Sequence, residues 1–186
     1  IPTEEKYAVI GGGPAGSATA LSILLNAGAN NDKKIKVTQV CGPDSVQDAI
    51  GESIPPAATG HLRKLGLPEV FNNNHHLSCP GSHSVWGSET PGYNDFFFTP
   101  IGQGYHLNRS VFNGQMRAAA REQGVVMLAQ AKLIDFSVKG VGFSLTIEQG
   151  GKTIHKDADF IVDATGIQAK VARSLGVARN QYDAVI

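Results

Sequence analysis

Apolar positions along this chain change period several times, and each change marks an expected element. The run Tyr7-Ala8-Val9-Ile10 is short and continuous, which predicts a buried strand over residues 6–10. Residues 14–27, centred on Ala18-Thr19-Ala20-Leu21-Ser22-Ile23-Leu24-Leu25, read as a helix, and 35–40 reads as a second strand beyond the polar turn 29–34. Strand, helix and strand at this spacing make a βαβ unit. A second helix is expected to open at Ser53 as N-cap, with Pro55 and Pro56 early in it and Gly66 at its end. Between 72 and 104 the composition shifts to Asn, Gly, Pro, Ser and aromatics, with strand-like pieces at 82–86 and 94–98.

Helical periodicity returns over 109–123, where Val111, Phe112, Met116 and Ala119 share a face. Four strand-like segments follow, at 125–129, 132–138, 142–149 and 152–156, with Gly150-Gly151 as a hairpin signal. Phe143, Leu145 and Ile147 alternate with polar residues, so that sheet is expected to be half exposed. Phe160-Ile161-Val162 reads as a buried strand leading into Asp163-Ala164-Thr165-Gly166. Trp86 and Phe96-Phe97-Phe98 either line a substrate cavity or form core. Core is preferred, because an alternating strand buries at least one face.

The most informative local feature stands between the first strand and the first helix. It is Gly11-Gly12-Gly13-Pro14-Ala15-Gly16, a G-x-G-x-x-G pattern with the flanks a dinucleotide fold requires. Gly11 suits the tight turn, Gly13 lets backbone approach a pyrophosphate, and Gly16 lets helix and strand pack closely. Pro14 suits a first helical turn, whose free N–H groups and dipole favour phosphate. A structural glycine turn would explain the glycines without explaining their placement.

At 186 residues the chain suits one domain, and 16 basic against 16 acidic residues leave no net charge. That balance gives no electrostatic case for nucleic acid or an anionic membrane, so a small-molecule partner is expected. Cys41 and Cys79 are too few for a disulfide framework and are read as reduced thiols. The longest apolar stretch is too short to span a bilayer, and a cytoplasmic location is expected. His75-His76 with His83 lacks metal-ligand spacing and is read as part of a solvated loop. Gly51-Glu52-Ser53-Ile54-Pro55 lacks the final glycine of a hydrolase elbow.

Four landmarks, in order, carry a family resemblance. They are Gly11 to Gly16; Gly51-Glu52-Ser53-Ile54-Pro55; Arg109 opening a helix; and Asp159 to Gly166 with Arg173 after it. With them the chain resembles the N-terminal portion of the FAD-dependent monooxygenase superfamily, which includes the flavin-dependent halogenases. Within it, the chain is similar to flavoproteins that mature quinone-bearing amino-acid oxidases. The resemblance implies an α/β fold: a Rossmann-like, glutathione reductase-type FAD-binding domain with a β-meander and part of an antiparallel substrate-domain sheet. Residues 1–186 would be that domain of a longer flavoprotein, with 72–104 a substrate-side β insertion. FAD is the implied cofactor, with NAD(P)H or a reductase as transient electron donor. The implied reaction is oxygen transfer, through a flavin hydroperoxide, to an electron-rich small molecule or protein side chain.

By the same resemblance, Gly11, Gly13, Pro14, Ala15 and Gly16 would face the pyrophosphate, and Arg109, Thr165 and Gly166 would reach the cofactor. A salt-bridged helix start is the alternative role for Arg109. Glu52 and Ser53 would belong to a loop over the flavin. Glu52 is either a buried carboxylate with a shifted pKa or an anion favouring the following helix. No residue is assigned to catalysis, and a cofactor-binding module without turnover of its own is the alternative function. Two departures stand out. Cys41 occupies the end of the second strand, where a ribose-binding carboxylate is usual, leaving Gln39 or a backbone group as substitute. The stretch Pro80-Gly81-Ser82-His83-Ser84-Val85-Trp86 holds no lysine before its tryptophan, which disfavours halogenation.

Overall fold

Strand β1 (Glu4–Ile10) ends in Ala8, Val9 and Ile10, all at 4% exposure or less, so both of its faces are covered. In the computed structural model, which describes residues 4–27, 34–43, 52–67, 71 and 75–182, helix α1 (Pro14–Ala27) and β2 (Lys34–Val40) follow. β1 and β2 pair in parallel, so the expected βαβ unit is present with the helix bounds the apolar pattern indicated. β8 (Val126–Leu128) and β12 (Phe160–Asp163) extend the sheet to the order β12-β1-β2-β8.

Alternation along β1 and β2 divides the core between two layers. Val9, Val37 and Gln39 face α1, whose Ala20 and Leu21 are fully buried. Ala8, Ile10 and Val40 face an antiparallel meander of β9 (Ala131–Val138), β10 (Phe143–Gln149) and β11 (Lys152–Ala158). Ala131, Leu145, Ile147 and Ala158 fill that second layer, with Val171 from α4 (Lys170–Ser174). Gly150 and Gly151 join β10 to β11 with φ of 58° and 76°, the two positive values a two-residue hairpin turn needs.

The described residues fall into two compact units. One comprises those within Ile1–Pro43 and Gly124–Ile186, and the other those within Asp44–Gln123. The second unit holds β3 (Glu52–Ile54), α2 (Pro56–Lys64), β4 (Leu77–Cys79), β5 (Gly81–Ser84), β6 (Gly92–Asp95), β7 (Gly104–Leu107) and α3 (Arg109–Glu122). Its strands form a three-stranded sheet, β3-β7-β4, and a β5-β6 pair.

Several expectations are corrected here. Ser53 lies in β3 and is not an N-cap; α2 begins at Pro56 behind an extended Pro55. Consecutive prolines push the residue before each toward extended backbone, which delays the helix. Its expected end holds, since Gly66 has φ of +76° and Leu67 N–H donates to Leu62 O at 2.9 Å. Of Trp86 and Phe96-Phe97-Phe98, Phe96 alone is buried; Trp86, Phe97 and Phe98 are 92%, 79% and 83% exposed. The β5-β6 pair is too small to supply a layer that would cover them. His76 is buried and hydrogen-bonded, not part of a solvated loop. In α3 it is Ala120, not Ala119, that is buried with Phe112 and Met116. Phe160 is half exposed because β12 is an edge strand. Among the described residues no helix is long and apolar enough to cross a membrane.

Candidate functional site

In the first unit the glycine turn is shaped by close backbone crossings. Gly11 has φ of +134°, and a Cβ there would lie 2.1 Å from the carbonyl oxygen of Ala164. Its N–H donates to Val40 O, while Ala164 N–H donates to Ile10 O, both at 2.9 Å. A Cβ on Gly16 would lie 2.1 Å from Gly11 O, so α1 can start this close to β1 only with glycine at 16. Gly12 in turn has Cys41 Cβ 2.8 Å from where its own Cβ would be. Gly13 differs from these three: among the described residues a Cβ there meets nothing within 4 Å. The protein's own packing therefore gives no reason for glycine at 13. A ligand approaching the backbone would give one. Pro14 opens α1, Ala15 is exposed, and no acidic side chain occupies the first turn, so nothing there offsets the helix's positive end.

The Ala164-Thr165-Gly166 segment is held by Asp163, whose importance the sequence reading understated. Its Oδ1 accepts from Thr165 N–H at 3.1 Å and Thr165 Oγ1 at 2.6 Å, and its Oδ2 from Ala172 N–H at 2.9 Å. Burial pushes the Asp163 carboxyl up, but hydrogen bonds from Thr165 and from the Ala172 and Val171 backbone outweigh it. The net result is a pKa below the ordinary 3.8. Thr165 Oγ1 also accepts from Lys170 N–H at 2.8 Å, so this hydroxyl is engaged in shaping the turn. Gly166 is exposed with φ of +66°, and Arg173 is exposed at the last turn of α4.

Cys41 is 2% exposed and packs under Gly12. Gln39 does not substitute for a ribose carboxylate. It is fully buried, and its Nε2 donates to Gly11 O at 2.9 Å and Ser17 Oγ at 3.2 Å.

The second unit brings Glu52, Ser53 and Arg109 together, whereas Gly51 lies outside the described residues. Glu52 and Arg109 form an ion pair, with side chains 47% and 27% exposed, so Glu52 is not a buried carboxylate. Arg109 thus has the salt-bridged position at the helix start, and its Nε is buried without a hydrogen-bond partner among the described residues. Asn108 caps α3 by accepting from Val111 N–H, and its own N–H donates to His76 Nδ1 at 3.2 Å. Ser53 Oγ lies 2.7 Å from His106 Nδ1 across the β3-β7 pairing, a contact no local sequence pattern signals.

A cleft of about 170 Å³ in the first unit lies under Lys6, Lys36 and Lys156. Its lining also includes Ala8, Leu145 and Ile147, each at most 4% exposed.

No family model matches the chain. It is 33% identical over 174 residues to LodB of Marinomonas mediterranea, a protein whose name assigns it as an FAD-dependent oxidoreductase. That alignment covers 91% of this chain and 45% of LodB. It is 30% identical over 174 residues to the flavin-dependent halogenase armH2 of Armillaria mellea, covering 89% of this chain and 32% of that protein. A flavoprotein/dehydrogenase from Cytophaga hutchinsonii superposes with a TM-score of 0.78 at 26% identity, over 96% of this chain and 44% of that one. The chain therefore spans less than half the length of the relatives it matches. The resemblance to the FAD-dependent oxidoreductase and halogenase superfamily holds, and the fold is that of its FAD-binding proteins.

The crossings separate the glycines by experiment. Gly11→Ala and Gly16→Ala should each destabilise by about 3 kcal/mol or more, since backbone must move, while Gly13→Ala should leave urea unfolding within about 1 kcal/mol of wild type. For Asp163, a depressed pKa means its contribution is present above the carboxylate range and lost as pH falls through the folded value. Asp163→Ala should cost about 2 kcal/mol at pH 7, and the gap in thermal midpoint between variant and wild type should narrow below about pH 4.

Proposed function

We propose that this chain binds the ADP moiety of FAD, and that the protein it belongs to is an FAD-dependent monooxygenase acting on an electron-rich small molecule or protein side chain. The observation that carries this reading is the glycine turn. Three of its glycines are explained by contacts within the fold, whereas the described packing leaves space at Gly13, which supports approach of a ligand to the backbone there. The similarity to FAD-dependent proteins supports FAD as that ligand. Bound FAD supplies the redox chemistry, activating dioxygen for transfer of one oxygen atom to the substrate.

The chain's own residues bind and orient. Backbone around Gly13, Pro14 and Ala15 at the open end of α1 receives the pyrophosphate, where the helix dipole favours its charge. The Asp163 hydrogen bonds keep Thr165 and Gly166 in one conformation, so that their backbone is presented at the end of β12 without reorganisation. In the second unit Glu52 pairs with the Arg109 guanidinium and fixes it at the start of α3. NAD(P)H or a reductase is the proposed electron donor. No residue of this chain is given a proton-transfer role.

Halogenation is the second reading, favoured by the similarity to a flavin-dependent halogenase. It is weakened by the stretch 80–86, which carries no lysine beside Trp86.

FAD fluorescence quenching on titration with the purified chain tests the cofactor assignment. Wild type should bind FAD, whereas Gly13→Glu should remain folded by circular dichroism and lose detectable binding. Absence of FAD uptake by the folded wild-type chain, or full uptake by Gly13→Glu, would overturn the reading.

A further inference from the structure

Gln39 stands where an aliphatic residue would be expected. Its neighbours on the α1-facing side of the sheet, Val9 and Val37, are apolar and at most 1% exposed, and Gln39 itself has no exposed surface. Its Oε1 is buried with no hydrogen-bond partner among the described residues. A buried, half-satisfied amide is a cost to the fold, because an unpaired acceptor keeps its desolvation penalty without compensation. Something else must account for glutamine here.

The other half of the amide indicates what. Nε2 donates to Gly11 O, at the start of the glycine turn, and to Ser17 Oγ, in the first turn of α1. Gly11 O is the same atom that a side chain on Gly16 would strike, so its position sets how close the helix start can come to β1. Ser17 is itself fully buried, and its N–H donates to Gly13 O at 3.0 Å. One amide group thus ties the entry of the turn to its exit, spanning the backbone proposed above to receive phosphate.

We infer that Gln39 is a positioning residue for the phosphate-binding turn, holding residues 11–17 in their ligand-ready conformation before FAD arrives. The inference rests on the FAD assignment for its functional meaning, but the brace itself is a property of the unliganded chain. Preorganisation of this kind raises affinity by removing an ordering cost from the binding step. It also explains the local penalty, since stability at a site is given up where geometry is needed.

Two variants test this. Gln39→Met keeps volume and removes both polar atoms. In the unliganded chain it should speed hydrogen exchange of the 11–17 amides, and it should weaken FAD binding about tenfold, the equivalent of one lost hydrogen bond. Gln39→Glu keeps the shape but presents a carboxylate to Gly11 O. Its FAD affinity should be low at pH 8 and recover toward pH 5, as protonation restores a donor, a pH response wild type should lack. Wild-type exchange rates at 11–17 in Gln39→Met, or a pH-independent affinity in Gln39→Glu, would overturn the brace. A wild-type chain that takes up no FAD, paired with faster exchange in Gln39→Met, would leave the brace standing and remove the FAD reading instead.

Discussion

Everything in the first unit depends on one close approach of backbone to backbone. Gly11, at the end of β1, lies against the Ala164 carbonyl at the end of β12, and its own carbonyl lies against Gly16 at the start of α1. The contacts at either end leave no space for a Cβ. Two adjacent strand ends and a helix start are thereby drawn to one point, and the turn between them is left open on the side of Gly13. Burial alone would not specify this. The apolar layers around Ala8, Ile10, Leu145 and Ile147 stabilise the sheet, but they tolerate small shifts that a backbone crossing does not.

Polar groups then convert that approach into a defined shape. Asp163 collects N–H and O–H donors from Thr165 and Ala172, so the chain leaves β12 along one path. Gln39 does the equivalent on the other side, at the expense of an unpaired oxygen in the core. Cys41, where a carboxylate is usual, packs beneath Gly12 and contributes volume in place of charge. The second unit follows a similar logic on a smaller scale. Asn108 caps α3, His76 supports Asn108, and Glu52 holds Arg109 at the helix start.

Much of this fold was legible in the order of residues. The βαβ unit, the bounds of α1, the meander and the Gly150-Gly151 turn all follow from period and glycine placement, which are local quantities. The short strands β4 and β7 were not legible, because three or four residues carry no measurable period. Trp86, Phe97 and Phe98 differ from the core expectation for a related reason. Aromatic content reports a preference for burial, and only a facing layer can satisfy it.

Within the site the division is the same. Local pattern is enough to place a glycine turn between a strand and a helix, to end a later strand at Asp163-Ala164-Thr165-Gly166, and to show that the usual ribose carboxylate is missing. It takes the packed chain to bring Gly11 against Ala164, to set Ser53 against His106 instead of capping a helix, and to turn Gln39 inward to the glycine turn instead of outward to a ribose. Turn chemistry and hydrophobic period act over a few residues and are written into any short window. The partner of a buried amide or a glycine hydrogen lies tens of residues away, and it exists only once the layers have packed.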